Sequence, residues 1–280
     1  MIPLSVPNLK GNEKKYVIDA INKEWVSSQG DYVNKFENNI KEYLKVSNAV
    51  ACQSGTAAIH LALMLSKVTR NDEVIVPTLT FIAAVNPVRY LGAEPVFMDC
   101  DDSLNMDCNK LEQFFKEECT LSPKGLINKS TNRCIKALVL VHVFGNMANV
   151  QEIKELTDKY GISPIEDATE ALGTYYTSGK YKGRFAGTIG DFGAYSFNGN
   201  KIITTGGGGI LVSKTTKNAK KAKYLSTQAK DDKLYYVHNN IGYNYRMTNL
   251  QAAVGTAQLE RLEEFISIKI KNYELYESKI

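Results

Sequence analysis

Ile135-Lys136-Ala137-Leu138-Val139-Leu140-Val141-His142-Val143 is a continuous run rich in β-branched residues. Such a run predicts a strand covered on both faces, because a strand with one wet face alternates apolar with polar residues. Working outward, Ser163-Pro164-Ile165-Glu166 predicts a second, short strand, with a helix over 150–160 between the two. Upstream, strands are predicted over 48–52, 73–76 and 95–98, with helices over 56–66, 83–91 and 107–118. The helix over 56–66 is apolar nearly all round (Ile59, Leu61, Leu63, Leu65), which predicts burial. Amphipathic helices over 11–24 and 31–45, broken at 25–30, precede this rhythm. Residues 175–188, rich in Tyr, Gly and Lys, predict a loop or hairpin. The tail, 248–280, is strongly helical, with Leu250, Val254, Ala257, Leu259 and Leu262 at helical spacing. Alternating strands and helices predict an α/β domain with a largely parallel sheet.

Composition narrows the function classes. The 280 residues are 44% hydrophobic and 23% charged, which is an ordinary globular mix and enough for one or two domains. The formal net charge is only +4, and the lysines over 217–223 alternate with apolar or small residues, so a solvated helix face is favoured over a nucleic-acid patch. The five cysteines form no CxxC pair and match no zinc spacing; reduced thiols in a cytoplasmic protein are the simplest account. Met1-Ile2-Pro3-Leu4-Ser5 has no basic region followed by an apolar one, and no apolar run reaches a membrane-spanning length.

Four segments carry candidate chemistry, each at the end of a predicted strand, where open α/β sheets gather ligands. Gln53-Ser54-Gly55-Thr56-Ala57 leads from a strand into the buried helix; small residues and a helix N-terminus suit an anion, although Ser54 or Thr56 reads equally as an N-cap. Phe81, in Pro77-Thr78-Leu79-Thr80-Phe81, can stack on a planar ring or serve as an ordinary core residue. Ile165-Glu166-Asp167-Ala168-Thr169-Glu170 sets an acidic residue at the end of an apolar strand, where a carboxylate needs a cationic partner; the plain reading is a helix N-cap by Asp167. Lys201, in Ser196-Phe197-Asn198-Gly199-Asn200-Lys201, leaves an apolar run and enters the glycines 206–209. A lysine in an apolar site can lose its proton and attack a carbonyl, while the bland alternatives are a surface lysine and a glycine turn. The order of a phosphate loop, an aromatic, an acid and a lysine makes one coherent pyridoxal-phosphate constellation.

With Ser54-Gly55-Thr56-Ala57-Ala58, Pro77-Thr78-Leu79-Thr80-Phe81, Glu166-Asp167-Ala168, Ser196-Phe197, Asn200-Lys201 and Gly242-Tyr243-Asn244-Tyr245-Arg246-Met247, the chain resembles the sugar-nucleotide aminotransferases of the DegT/StrS type, from about Pro3 to its last residue. The resemblance implies an aspartate-aminotransferase-like fold type I: a large three-layer α/β/α domain with a mostly parallel sheet over 1–247. Residues 248–280 would be the helical start of a C-terminal small domain that is otherwise largely absent. It implies that Lys201 carries pyridoxal 5'-phosphate as a Schiff base. Thr56, Ala57 and Ser196 would hold its phosphate, Phe81 would stack on the ring, and Asp167 would pair with the ring nitrogen. Asn244 would reach the cofactor of a neighbouring subunit, making a homodimer with shared sites. Glu170 stands where many relatives carry Gln or His to donate to the ring's phenolic oxygen; an ionised Glu has no proton to give, so Glu170 is either protonated or serves another partner. The implied activity moves an amino group from glutamate to a nucleotide-linked 4-keto-6-deoxy sugar. The wording Asn198-Gly199-Asn200-Lys201 and the four glycines look most like 4-aminotransferases of legionaminic-acid-type pathways. The alternatives are a pyridoxal-phosphate sugar dehydratase or lyase, against which Lys201 argues because that branch carries histidine, and a catalytically silent scaffold.

Overall fold

The computed structural model describes residues 5–232 and 234–280. Residues 1–4, which include Pro3, where the resemblance begins, lie outside the described residues.

Two helices open the chain, α1 (Glu13–Asn22) and α2 (Asp31–Leu44). Strand β1 (Ala49–Cys52), helix α3 (Gly55–Leu65), strand β2 (Asp72–Pro77), helix α4 (Asn86–Tyr90) and strand β3 (Glu94–Met98) follow. Next come α5 (Cys108–Glu117), β4 (Cys119–Ser122), β5 (Gly125–Asn128), β6 (Cys134–Val141), α6 (Val150–Tyr160) and β7 (Ser163–Asp167). The chain continues through β8 (Phe192–Ser196), β9 (Gly209–Ser213), α7 (Thr216–Ser226), α8 (Asn249–Leu259) and α9 (Leu262–Lys279). Strand order across the sheet is β1-β9-β8-β7-β6-β2-β3, with the hairpin β4–β5 attached to the side of β6. Along that path only β9 runs against its neighbours, so the mostly parallel sheet holds.

The unbroken apolar run of β6 is explained by layers on both faces. Ala137, Val139 and Val141 join a core with α3, α4 and α7, while Leu138 and Leu140 join the core of α5 and α6 on the other face. Farther along the second face, Ala49, Ala51, Tyr195 and Ile210 pack under α2 and α8. The result is the three-layer α/β/α arrangement. Helix α3 carries buried side chains nearly all round, as its sequence predicts. The lysine-bearing α7 is a solvated face on a buried stripe of Ala219, Ala222 and Leu225.

Some boundaries differ from expectation. The helix expected over 83–91 is a short 3-10 turn followed by the five-residue α4, because Pro87 in the first turn has no N–H to extend the helix backward. The strand expected through 143 ends at Val141; His142 leaves it and a tight turn follows, with Phe144 at φ 54°. The 175–188 stretch forms a hairpin-like loop closed by Tyr175 opposite Phe185. The tail is two helices, broken at Glu260–Arg261, and α8 shares one core with α1 and α2. Among the described residues, no helix is long and apolar enough to cross a membrane.

Candidate active site

The carboxyl ends of β1, β2, β6, β7 and β8 surround a cavity of about 530 Å³. Its wall brings together Thr56, Phe81, Asp167, Glu170, Ser196 and Lys201. These residues are contributed by segments far apart in sequence, and each sits at or just beyond a strand end or helix start.

The anion end is built at the start of α3. Ser54 is its N-cap, and its hydroxyl accepts the N–H of Ala57 at 3.1 Å. The capping reading of Ser54 is therefore realised. It also places Ala57, which is buried and whose N–H is spoken for, behind the wall rather than on it. Thr56 and the first turn of α3 remain on the cavity side, where a helix N-terminus favours negative charge. Gly55 packs so closely that an added Cβ would lie 2.9 Å from Thr169 Cγ2 and 3.0 Å from Ser196 Cβ. Gly209 is equally constrained: a Cβ there would lie 2.5 Å from the Ser54 carbonyl carbon. Two of the glycine positions thus serve the close approach of β8 and β9 to the phosphate loop.

The acid end is decided by strand alternation. Consecutive residues of β7 point to opposite faces, so Glu166 and Asp167 part company. Asp167 faces the cavity and accepts the N–H of Thr169 at 3.0 Å. Burial pushes its carboxyl above the ordinary carboxylate range, against the pull of Thr169, Lys201 and His142. Glu166 faces away, fully buried, and accepts from His142 Nε2 (3.0 Å) and the backbone N–H groups of Gly187 (2.8 Å), Ile189 (2.6 Å) and Gly190. Burial pushes this carboxyl up as well, but the His142 and backbone hydrogen bonds outweigh it and hold Glu166 below its usual value. His142 Nδ1 accepts the Ala148 N–H at 3.1 Å, which puts the ring proton on Nε2.

Lys201 lies with its Nζ 3.2 Å from Glu170 Oε1. The other carboxylate oxygen of Glu170 accepts the N–H of Phe144 at 3.2 Å. Glu170 serves other partners here, as an acceptor that ties the lysine to the loop after β6. Phe81, 79% exposed, stands at the rim. Phe144, 72% exposed, is a second aromatic on the same wall that sequence reading missed. Its signal was the one used for Phe81, an aromatic just beyond a strand end, but the predicted strand was run past its true end. Asn244 is exposed and does not line this cavity. The 25–30 connector borders a separate cavity of about 390 Å³, with Trp25, Ser28, Gln29 and Arg246 in its wall.

These residues fit pyridoxal phosphate. Lys201 shares one cavity with the buried carboxyl of Asp167, which forms no ion pair among the described residues, and a helix N-terminus with two hydroxyl residues forms an anion pole in the same wall. The cofactor would be held by Lys201 at one end, Asp167 at the ring nitrogen, and Thr56 with Ser196 at the phosphate.

Over residues 7–280 the chain matches the DegT/DnrJ/EryC1/StrS aminotransferase family. It is 44% identical to EpsN of Bacillus subtilis (strain 168), over 94% of this chain and 64% of that protein. It is 40% identical to the GDP-perosamine synthase of Escherichia coli O157:H7, over 100% of this chain and 71% of that protein. The chain therefore spans roughly two thirds of the length of these relatives. Among solved structures, the PLP-form of Spr1654 from Streptococcus pneumoniae is similar with a TM-score of 0.84 at 25% identity, over 99% of this chain and 71% of that one. The fold is the fold type I α/β/α architecture of these proteins. The chain belongs to the DegT/DnrJ/EryC1/StrS aminotransferase family.

Proposed function

We propose that this chain carries the cofactor site of a pyridoxal-phosphate-dependent sugar-nucleotide aminotransferase. The single observation that carries the reading is Lys201 and Asp167 in one cavity beside the α3 N-terminus. Pyridoxal phosphate, when bound, supplies an electron sink for a carbanion next to nitrogen. Asp167, whose burial makes ionisation costly, would pair with the ring nitrogen and hold a proton there. Lys201 would serve as general base, its Nζ taking the proton from the α-carbon of the amino donor. Glu170 lies within reach to receive the lysine's ammonium between these steps. Phe81 at the rim would stack on the cofactor ring, and Phe144 lines the same wall.

Glutamate as donor and a nucleotide-linked 4-keto-6-deoxy sugar as acceptor form the finer reading. The name of the GDP-perosamine synthase supports a nucleotide-linked sugar; the legionaminic-acid-type pathway rests only on the wording of 198–201 and the glycines. A homodimer, with Asn244 reaching the other subunit's cofactor, belongs to the same proposal, as does function in the cytoplasm. We also propose that residues 248–280 are the helical start of a C-terminal small domain. In the later part of α9, Ile268, Ile270, Tyr273 and Tyr276 are exposed, whereas α8 is buried against α1 and α2.

The test is spectroscopic. Protein mixed with pyridoxal phosphate should develop the absorbance of the lysine-bound cofactor, and glutamate should convert it to the amine form. Bound cofactor that glutamate leaves unchanged would remove the aminotransferase reading and favour a silent scaffold.

A further inference from the structure

His60 lies on α3 one turn beyond Thr56 and is 2% exposed. Three tyrosines enclose its ring edge to face: Tyr243 at 5.0 Å, Tyr90 at 5.5 Å and Tyr245 at 5.8 Å between centroids. Its Nδ1 lies 3.1 Å from the Tyr245 hydroxyl, and its buried Nε2 has no hydrogen-bond partner among the described residues. Burial pushes the imidazole down to about 4, so the ring is neutral near pH 7. A buried polar atom without a partner is destabilising, a cost that an apolar side chain would avoid.

The segment that His60 meets carries Asn244. Residues 243–246 are extended: Tyr243 N–H donates to Leu225 O (2.7 Å), Tyr245 N–H to Ser226 O (3.0 Å), and Gln53 N–H to Tyr245 O (2.8 Å). Tyr243 and Tyr245, two apart, stack at 4.9 Å on the side facing His60. In an extended chain the intervening residue points the other way, so Asn244 stands on the exposed side. A slip of one residue would exchange the two sets. Gly242 leads in over the backbone of Gln228 and Ala229 so closely that a Cβ would lie 2.1 Å from either.

We propose that His60 is a positioning residue that pins the register of 243–246 through Tyr245, and so presents Asn244 outward while tying it to the same subunit's phosphate loop. This rests on the functional reading above, in which Asn244 reaches a neighbouring subunit's cofactor. Each cofactor-binding helix would thereby hold in place the residue that its own subunit lends to the other site.

The test measures pyridoxal phosphate affinity by titration for Tyr245→Phe, Asn244→Ala and the double variant. It adds His60→Leu and His60→Asn, the latter placing an amide near the Nδ1 position. Loss of one hydrogen bond predicts about a fivefold weakening for Tyr245→Phe and His60→Leu. His60→Asn should restore most of the affinity, and Tyr245→Phe should add less than about twofold in the Asn244→Ala background. Tyr245→Phe removes only a hydroxyl, so it remains informative if His60→Leu fails to fold. Additive effects of Tyr245→Phe and Asn244→Ala, or an Asn244→Ala variant with unchanged affinity, would overturn the pinning role while leaving the cofactor site intact. A wild-type chain that takes up no pyridoxal phosphate would instead bring down the functional reading and this inference with it.

Discussion

The last two residues of β7 open onto regions built in opposite ways. On the Glu166 side the carboxylate is enclosed by four donors, from His142, Gly187, Ile189 and Gly190, and nothing is left to bind. On the Asp167 side the carboxylate takes a hydrogen bond from Thr169 and otherwise faces a cavity that Lys201 shares. Both acids are buried, yet their carboxyls are shifted in opposite directions, Glu166 down and Asp167 up. A buried acid whose hydrogen bonds are satisfied holds structure together; here it joins β7 to the loop 187–190 and to His142. A buried acid left short of partners is held ready for a ligand, and the fold carries its desolvation cost until one arrives.

The largest effect should come from the cavity side. Lys201→Ala removes the group that would hold the cofactor and move the proton, and should lower the transamination rate about 10²- to 10⁴-fold while leaving the melting temperature close to wild type. Steady-state assays beside thermal melts check this; an active Lys201→Ala enzyme would erase the functional half of the contrast.

Next should come the structural side. Glu166→Ala leaves His142 and three backbone donors without their acceptor, and should cost about 3–5 kcal/mol of stability in urea unfolding. Because the folded carboxyl is held below its ordinary 4.5, its stabilisation is present above that pH and is lost as pH falls below it. The gap between wild type and variant should therefore narrow on acidification; a gap that widens would mean that Glu166 is not ionised in its nest.

The smallest effect should be the sign reversal at Asp167. Its folded carboxyl lies above the ordinary 3.8, so its contribution is fully present at low pH and is lost as pH rises through the folded value. In cofactor-free protein near pH 7, Asp167→Asn should then melt at or slightly above the wild-type temperature. A clear loss of stability in that variant would show that Asp167 is structural like its neighbour.

Much of this was legible in the residue order. The two-face run of β6, the all-round apolar α3 and the solvated α7 follow from periodicity, and the site residues stand at strand ends. The misses have local causes. The hairpin β4–β5 was not anticipated, because its strands are four residues each and only part-buried, so alternation is too brief to register against the preceding helix. Strand β9 was hidden behind the glycines, whose nearest signal is a turn. Phe144 was hidden by a strand that ended two residues earlier than its apolar run, because His142 turns its ring inward to Glu166.

The sequence by itself determined the α/β rhythm, the buried central strand and the set of residues around Lys201, because hydrophobic period and strand-end chemistry are read over short stretches of chain. Only the tertiary structure decided that Glu166 is enclosed by His142 and the 187–190 loop, that Glu170 pairs with Lys201, and that Tyr245 reaches His60. Those pairings join residues 31 and 185 positions apart in the last two cases, and they depend on where packing of the layers sets each strand end. No local pattern encodes that distance.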